Sequence, residues 1–249
     1  MRWSVAVVLL CAGCGASSPR EPVHVFAASS LTAPFEDLEA RFERAHPQVD
    51  VRLTFAGSQV LRLQVEQGAP ADVFASADLV HARALHEAGL LEAPQVFATT
   101  ELTVVVPRDD DAISEIADLA SARRIVAGAS SVPIGAYTQQ MLGRARTVLG
   151  DGFVQAVEAA VVSEESNVRL VRTKVELGEA DAAVVYATEV NDRVRAIPVP
   201  DAMNVTVELA AGISTRAERS SHAAAFMGAL CGPMGAAALR TAGFEVVTP

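Results

Sequence analysis

The stretch that decides the fold is "VHVFAASSLTAPFEDLEARF", residues 23–42. Its apolar run over residues 23–27 predicts a buried strand, and the spacing of the apolar residues that follow predicts an amphipathic helix over residues 31–45. Ser29 and Ser30 stand between the two elements. A strand that ends in hydroxyl residues at the start of a helix offers hydroxyl donors and unpaired backbone N–H groups at one point. That arrangement suits the binding of an anion.

The same arrangement recurs three times further along the chain. An apolar segment leads into Gly57 and Ser58, another into "SSVP" at residues 130–133, and a third segment into "SNVR" at residues 166–169. Helix N-termini carry partial positive charge, so several that converge could hold a dianion without lysine or arginine. For each serine taken alone, an ordinary helix cap is the alternative interpretation, and the sequence leaves it open.

Strands alternate with helical patterns along the chain, which predicts an α/β protein with two lobes, each a mostly parallel sheet flanked by helices. The long apolar strand at residues 101–108 is expected to cross into the second lobe. The predicted first lobe comprises residues 23–100 and 206–249, and the second comprises residues 101–205. Ligands of such folds bind at the carboxyl ends of strands, so a ligand cleft is expected between the lobes.

The N-terminus, residues 1–22, reads "MRWSVAVVLLCAGCGASSPREP". Its apolar run follows a positive residue and is too short to span a bilayer, which predicts an export signal. The end of the run resembles a bacterial lipobox and predicts lipidation at Cys14, although Cys11 stands where that pattern usually has leucine. Ordinary signal cleavage near Ala16 is the alternative. Residues 19–22 would form a tether, and the mature protein would lie outside the cytoplasmic membrane, anchored by lipid.

Composition narrows the class of function. The chain has 249 residues, 51% of them hydrophobic and 20% charged, as expected of a globular protein. Its formal net charge of -10 argues against a nucleic-acid partner, which requires a basic footprint. Only Cys231 lies beyond the leader, so no intramolecular disulfide is expected in the mature chain.

Motifs for catalysis and metal binding are missing from the sequence. It has no Gly-x-Ser-x-Gly elbow, no Walker loop and no His-Glu-x-x-His motif. His81 and His86 are five residues apart, a poor spacing for one helix face, so both are interpreted as surface or core residues. We therefore predict a protein that is not an enzyme, has no cofactor and uses no side chain as a direct cation ligand.

Five segments in the same order resemble those of the periplasmic molybdate-binding proteins of ABC transporters, which have the type II periplasmic binding-protein fold. The resemblance runs over residues 23–244. The segments are "VFAASSLT", "FAGSQVLRLQVEQGAPADVFASAD", "SSVPIGAYTQQML", "NVRLVRTKVELGEADAAVVYATE" and "GPMGAAALRTAGF".

The resemblance implies both a ligand and the residues that bind it. Molybdate or tungstate would be bound through its oxygens by the hydroxyls of Ser30, Ser58 and Tyr186 and by the backbone N–H groups of Ile134 and Val168. Tyr186 enters through the resemblance alone. The implied partners are an ABC permease and its ATPase, and a monomer is expected.

Three residues depart from the family pattern. Ile134 stands where alanine is usual, Asn167 replaces an aspartate, and Gly57 replaces a serine. The bulk of Ile134 is expected to narrow the cleft, which keeps another tetrahedral oxyanion such as sulfate as an alternative ligand. An oxyanion-sensing lipoprotein and an enzyme built on the same fold are further alternatives.

Overall fold

The computed structural model describes residues 20–218 and 220–247. The predicted export signal and the lipidation site at Cys14 lie outside the described residues.

Eleven strands and eight α-helices make up the described chain, with short 3-10 turns at Ser29–Leu31, Ile116–Ser121 and Ala187–Glu189. The strands are β1 (Glu21–Ala28), β2 (Val49–Ala56), β3 (Val73–Ser76), β4 (Gln95–Thr100), β5 (Leu102–Pro107), β6 (Ile125–Gly128), β7 (Val161–Glu165), β8 (Ala182–Tyr186), β9 (Val194–Pro198), β10 (Val207–Ile213) and β11 (Glu245–Val246). The helices are α1 (Thr32–Ala45), α2 (Ser58–Glu66), α3 (Leu79–Glu87), α4 (Pro133–Leu149), α5 (Asp151–Ala159), α6 (Val168–Glu176), α7 (Ser220–Cys231) and α8 (Pro233–Thr241).

The strands form two sheets. One has six strands in the order β11-β4-β10-β3-β1-β2, and the other has five in the order β7-β6-β8-β5-β9. We call the six-stranded sheet with α1, α2, α3, α7 and α8 the first lobe, and the five-stranded sheet with α4, α5 and α6 the second lobe. The α/β class with two helix-flanked sheets agrees with the prediction from the sequence.

The prediction that each sheet is mostly parallel was wrong, because both sheets are mixed. In the first, β1 pairs in parallel with β2 and β3, whereas β10 runs antiparallel to β3 and β4, and β11 antiparallel to β4. In the second, β6 pairs in parallel with β7 and β8, but β5 runs antiparallel to β8 and β9. The antiparallel strands β5 and β10 are those that follow each crossing of the chain between the sheets.

The first strand begins at Glu21, two residues before its predicted start. Glu21 and Pro22 pair with Val49 and Asp50 on β2, so they belong to the sheet. This corrects the extent of the tether predicted over residues 19–22, whose last two residues are part of β1.

Aromatic packing fixes the first helix on its sheet. The ring of Phe35 on α1 lies 6.3 Å from Phe97 on β4 and 6.2 Å from Phe226 on α7. Phe42, two turns along the same face, meets Phe226 edge-on at 5.4 Å. This buried cluster holds the start of α1 in a fixed position at the end of β1.

The two crossings between the sheets are joined by one side chain. The chain leaves the first sheet after β4 and returns to it before β10. Asn204, on the return segment, accepts the backbone N–H of Leu102 at 3.0 Å and donates to the carbonyl of Leu102 at 3.1 Å. The two crossings therefore lie side by side.

Within residues 20–218 and 220–247, no single helix is long and apolar enough to cross a membrane. Helices α7 and α8 taken together have the length and apolar composition of a membrane-spanning segment, but a bend of 54° separates them.

Candidate anion-binding site

A small cavity lies between the lobes at the carboxyl ends of β1, β2 and β8. All five residues predicted to bind the ligand line it: Ser30, Ser58, Ile134, Val168 and Tyr186. The cavity is small, with a volume of about 10 Å³, roughly the space that one water molecule needs. None of the described residues that line it carries a charged side chain.

The hydroxyl of Ser30 has no partner within the described protein. Ser30 is 8% exposed and its Oγ is buried without a hydrogen bond. A buried polar atom without a partner costs about 1 to 3 kcal/mol, so such atoms are rare unless a ligand or water satisfies them. The Oγ of Ser30 is thus a free donor on the wall of the cavity.

The hydroxyl of Ser58 is held in position by a neighbouring strand end. The backbone N–H of Ala77, just past β3, donates to Ser58 Oγ at 3.1 Å. Because the oxygen accepts this bond, its own proton remains available to donate elsewhere. Ser58 lines the cavity, so a bound anion is an acceptor within reach of this hydroxyl.

Neither serine is a helix cap. The residue before α2 is Gly57, with no side-chain cap, and Ser58 is already helical. The residue before α1 is Leu31, again without a side-chain cap. Neither serine makes the hydrogen bond of a helix cap, so the alternative that they serve only as caps is wrong.

Two helix N-termini of the second lobe reach the cavity. Helix α4 starts after Val132 with no side-chain cap, and α6 starts after Asn167, whose side chain accepts the N–H of Leu170. The first N–H groups of a helix have no partner within it. The amides of Ile134 and Val168 lie in these first turns, so they add partial positive charge to the cavity.

The serines at residues 130–131 do not cap α4, contrary to one interpretation of the "SSVP" segment. Val132 is the capping position, in extended conformation, and Pro133 is the first helical residue.

Tyr186 is the last residue of β8 and is fully buried. Burial raises the pKa of its phenol well above 10.0, and repulsion from the negative charges of Tyr137, when ionised, and of Asp78 acts in the same direction. The phenol therefore stays protonated at neutral pH and can donate a hydrogen bond.

The side chain of Ile134 packs beneath the start of α4. A Cβ atom built on Gly128, the last residue of β6, would lie 2.6 Å from Cγ2 of Ile134. The absence of a side chain at residue 128 thus provides the room for this methyl group. The Cγ2 methyl of Ile134 therefore points towards β6 of the second sheet.

Two partly buried ion pairs of one arginine connect α6 to the segment that follows Tyr186. Arg172 on α6 bonds to Glu176 at 2.7 Å and to Glu189 at 2.6 Å. Burial raises the pKa of Glu189, and the attraction of Arg172 opposes this rise. The pair with Glu189 fixes the position of the N-terminus of α6 relative to the end of β8.

The described residues contain no group of three or more His, Cys, Asp or Glu side chains that could hold a metal ion. Sequence reasoning missed a different set of residues, Gln59 and His81, which make hydrogen bonds from the first lobe to the second. No sequence signal identifies them, because their partners are backbone carbonyls distant in sequence.

Two mixed sheets joined by two adjacent crossings, with a small uncharged cavity between them, are the architecture of a two-lobed solute-binding protein. The chain belongs to the family of bacterial extracellular solute-binding proteins, whose model matches residues 23–245. A relative in Mycobacterium tuberculosis, "Molybdate-binding protein ModA", is 33% identical over 268 aligned positions, which cover 98% of this chain and 99% of the relative.

Solved structures agree on the type II periplasmic binding-protein fold. The periplasmic molybdate-binding protein of Azotobacter vinelandii superposes with a TM-score of 0.79 at 20% identity, covering 91% of this chain and 99% of that one. The sulfate-binding protein SubI of Mycobacterium tuberculosis gives 0.80 at 15% identity, covering 92% and 88%. Because these two proteins are named for different anions, the fold alone does not identify the ligand.

Proposed function

We propose that this protein is an exported substrate-binding protein that captures molybdate or tungstate and delivers it to an ABC permease and its ATPase. The family match and the 33% identity to a molybdate-binding relative over nearly the whole chain support the proposal. It acts by binding alone, as a monomer, with no cofactor and no catalytic residue.

The ligand is held by donors from both lobes. The first lobe, proposed as residues 23–100 and 206–249, contributes the hydroxyls of Ser30 and Ser58. The second lobe, residues 101–205, contributes the amides of Ile134 and Val168 and the phenol of Tyr186. One observation carries this assignment: the buried Oγ of Ser30 has no partner among the described residues and lines the cavity where the other four donors meet.

The chemistry of the cavity favours a fully deprotonated dianion. Molybdate and tungstate carry no proton at neutral pH, so hydrogen-bond donors can satisfy every oxygen. Phosphate retains a proton, which needs an acceptor, and no carboxylate lines the cavity among the described residues. A buried donor without an acceptor costs about 1 to 3 kcal/mol, so phosphate is disfavoured.

Uncharged donors also explain how an acidic protein binds an anion. The net charge of -10 repels a dianion at long range, and salt screens that repulsion over about 10 Å. Inside the closed cleft, helix N-termini and neutral hydroxyls interact at contact distance, where charge-assisted hydrogen bonds are strong. Attraction is thus local.

We further propose that the protein works on the outer side of the cytoplasmic membrane, anchored by a lipid on Cys14. The leader sequence supports export, and the family is described as extracellular. Metabolic labelling with a tritiated fatty acid, with Cys14→Ala as control, tests the anchor.

Calorimetric titration of the purified mature protein with molybdate, tungstate, sulfate and phosphate tests the ligand. We expect tight binding of molybdate and tungstate, weaker binding of sulfate and none of phosphate. If sulfate binds more tightly than molybdate, the proposed ligand is wrong, but the proposal of an oxyanion-binding transport protein stands. No heat with any of the four anions would overturn the oxyanion proposal.

A further inference from the structure

Two side chains of the first lobe make hydrogen bonds directly to the backbone of the second. Gln59 Nε2, in the first turn of α2, donates to the carbonyl of Ser166 at 2.8 Å. His81 Nε2, in the first turn of α3, lies 3.2 Å from the carbonyl oxygen of Ser131. Neither Gln59 nor His81 lines the cavity.

Both acceptors lie next to the helix starts of the second lobe that reach the cavity. Ser166 immediately precedes Asn167, the capping residue of α6, and Ser131 immediately precedes Val132, which occupies the same position before α4. A hydrogen bond at either carbonyl therefore fixes a helix N-terminus relative to the first lobe.

The bond from His81 has a defined direction. A carbonyl oxygen can only accept, so Nε2 of His81 must carry the proton. Asp78 accepts the backbone N–H of His81 at 2.9 Å, which fixes the backbone of His81 at the start of α3. Asp78 Oδ2 also lies 3.8 Å from Nε2, whereas Nδ1 has no hydrogen-bond partner among the described residues. His81 is therefore positioned within its own lobe to reach across to Ser131.

Close backbone contact accompanies the bond from Gln59. A Cβ atom built on Gly57 would lie 2.2 Å from the carbonyl oxygen of Ser166. The lobes are thus in direct contact at this point, and the donor at Gln59 reaches the same oxygen. We take this contact to be made only when the cleft is closed, because moving the lobes apart would separate Ser166 from Gly57 and Gln59.

We infer that Gln59 and His81 are positioning residues that form a clasp holding the lobes closed over the anion. This inference rests on the proposed function. A ligand that bridges both lobes binds the closed arrangement, so bonds made only in that arrangement favour the bound state. The clasp therefore slows ligand release, while the association rate, set by diffusion into the open cleft, changes little.

The test uses Gln59→Ala, His81→Ala and the double variant of the mature protein, titrated with molybdate. Losing one net hydrogen bond weakens affinity roughly 2- to 10-fold, so we expect that loss for each single variant and a larger one for the double variant. Gln59→Glu keeps the shape but sets a carboxylate against a carbonyl, so it should bind at least as weakly as Gln59→Ala.

Matched controls come from the same two helices. Gln67 follows α2 and is exposed, and the ring of His86 on α3 bonds to the carbonyl of Leu91 within the first lobe at 2.9 Å. Gln67→Ala and His86→Ala should leave molybdate affinity unchanged, even where His86→Ala lowers the melting temperature without ligand.

Dissociation is followed by tyrosine fluorescence in a stopped-flow chase of the molybdate-loaded protein, and melting is recorded without ligand. We expect the clasp variants to release molybdate faster than either control. If the wild type binds molybdate and the clasp variants bind and release it like the controls, the clasp is overturned and the proposed function stands. A wild type that binds none of the four oxyanions overturns both.

Discussion

The backbone N–H of Ala77 donates to the hydroxyl oxygen of Ser58, whereas the hydroxyl of Ser30 on the same cavity makes no bond within the described protein. The two serines therefore differ in what they do for the unliganded fold, although both are proposed to donate to the same anion. Substituting Ser30 should therefore affect ligand binding alone, whereas substituting Ser58 should affect both ligand binding and the stability of the unliganded protein.

Ser30→Ala should weaken molybdate binding by about 1.5 to 3 kcal/mol, the range for a hydrogen bond to a charged group. It removes an unpartnered buried hydroxyl, so the free energy of unfolding without ligand should stay the same or rise slightly. Calorimetry and denaturant unfolding measure the two quantities. A variant that binds normally would remove Ser30 from the site.

Ser58→Ala should weaken binding by a similar amount but also destabilise the unliganded protein. The N–H of Ala77 loses its acceptor in a buried position, which costs about 1 to 3 kcal/mol. The same pair of measurements applies, and equal unfolding free energies for Ser30→Ala and Ser58→Ala would contradict the bond from Ala77.

Gly57→Ala should fold normally and bind weakly. Gly57 has φ of -65° and ψ of 141°, which alanine adopts without strain, but its added methyl would lie 2.2 Å from the carbonyl oxygen of Ser166 and 2.6 Å from the side-chain amide of Gln59 in the closed cleft. We expect at least a tenfold loss of affinity with an unchanged melting temperature before ligand is added. Unaltered affinity would mean that the lobes bind without this close approach.

Ile134→Ala keeps its backbone N–H, so molybdate affinity should stay within about tenfold, roughly 1.4 kcal/mol. The buried side chain packs towards Gly128, so its removal leaves a void and should lower the free energy of unfolding by about 2 to 5 kcal/mol. Titration of a variant that remains folded decides the matter: a hundredfold change in affinity would show that the isoleucine shapes the ligand cavity.

Stability should fall at alkaline pH because of the two tyrosines. Burial raises the pKa of Tyr137 from 10.0 to about 12, and that of Tyr186 well above 10.0. Between pH 10 and 12 the unfolded chain has released protons that the folded chain still holds, so the free energy of unfolding decreases as the pH rises. Tyrosinate absorbance of the folded protein should therefore appear later than that of the protein in denaturant. For Tyr137→Phe, we expect a shallower decline between these two pH values.

The sequence predicted the part of the site that depends on local pattern. Strand ends followed by hydroxyl residues or helix starts are visible in a short window, and each of the four segments found in this way lines the cavity, with Ser30, Ser58, Pro133 and Val168. Ile134 and Tyr186 line it too, but they were predicted from the family resemblance alone. What the sequence could not supply was the pairing across the cleft at Gln59 and His81, because it depends on how two lobes meet.

Three strands that the sequence does not mark clearly, β7, β9 and β11, lie at sheet edges. An edge strand is covered less completely, so its residues need not alternate cleanly between apolar and polar. Along β7, "VVSEE", the residues alternate only between partly buried and exposed. Strand β4 is separated from β5 by Glu101 alone, so the sequence gives no clear boundary between the two.

The double hydrogen bond between Asn204 and Leu102 has an evolutionary consequence. All five strands of the second sheet lie between Leu102 and Pro198, so that lobe is a continuous insert whose two ends meet at one point of the first lobe. Inserts with adjacent ends are the ones that domain exchange tolerates. Recombination at these two junctions could therefore exchange the whole second lobe, with its proposed donors, while Ser30 and Ser58 of the first lobe stay unaltered. A new anion preference would then arise in one step instead of by successive point substitutions.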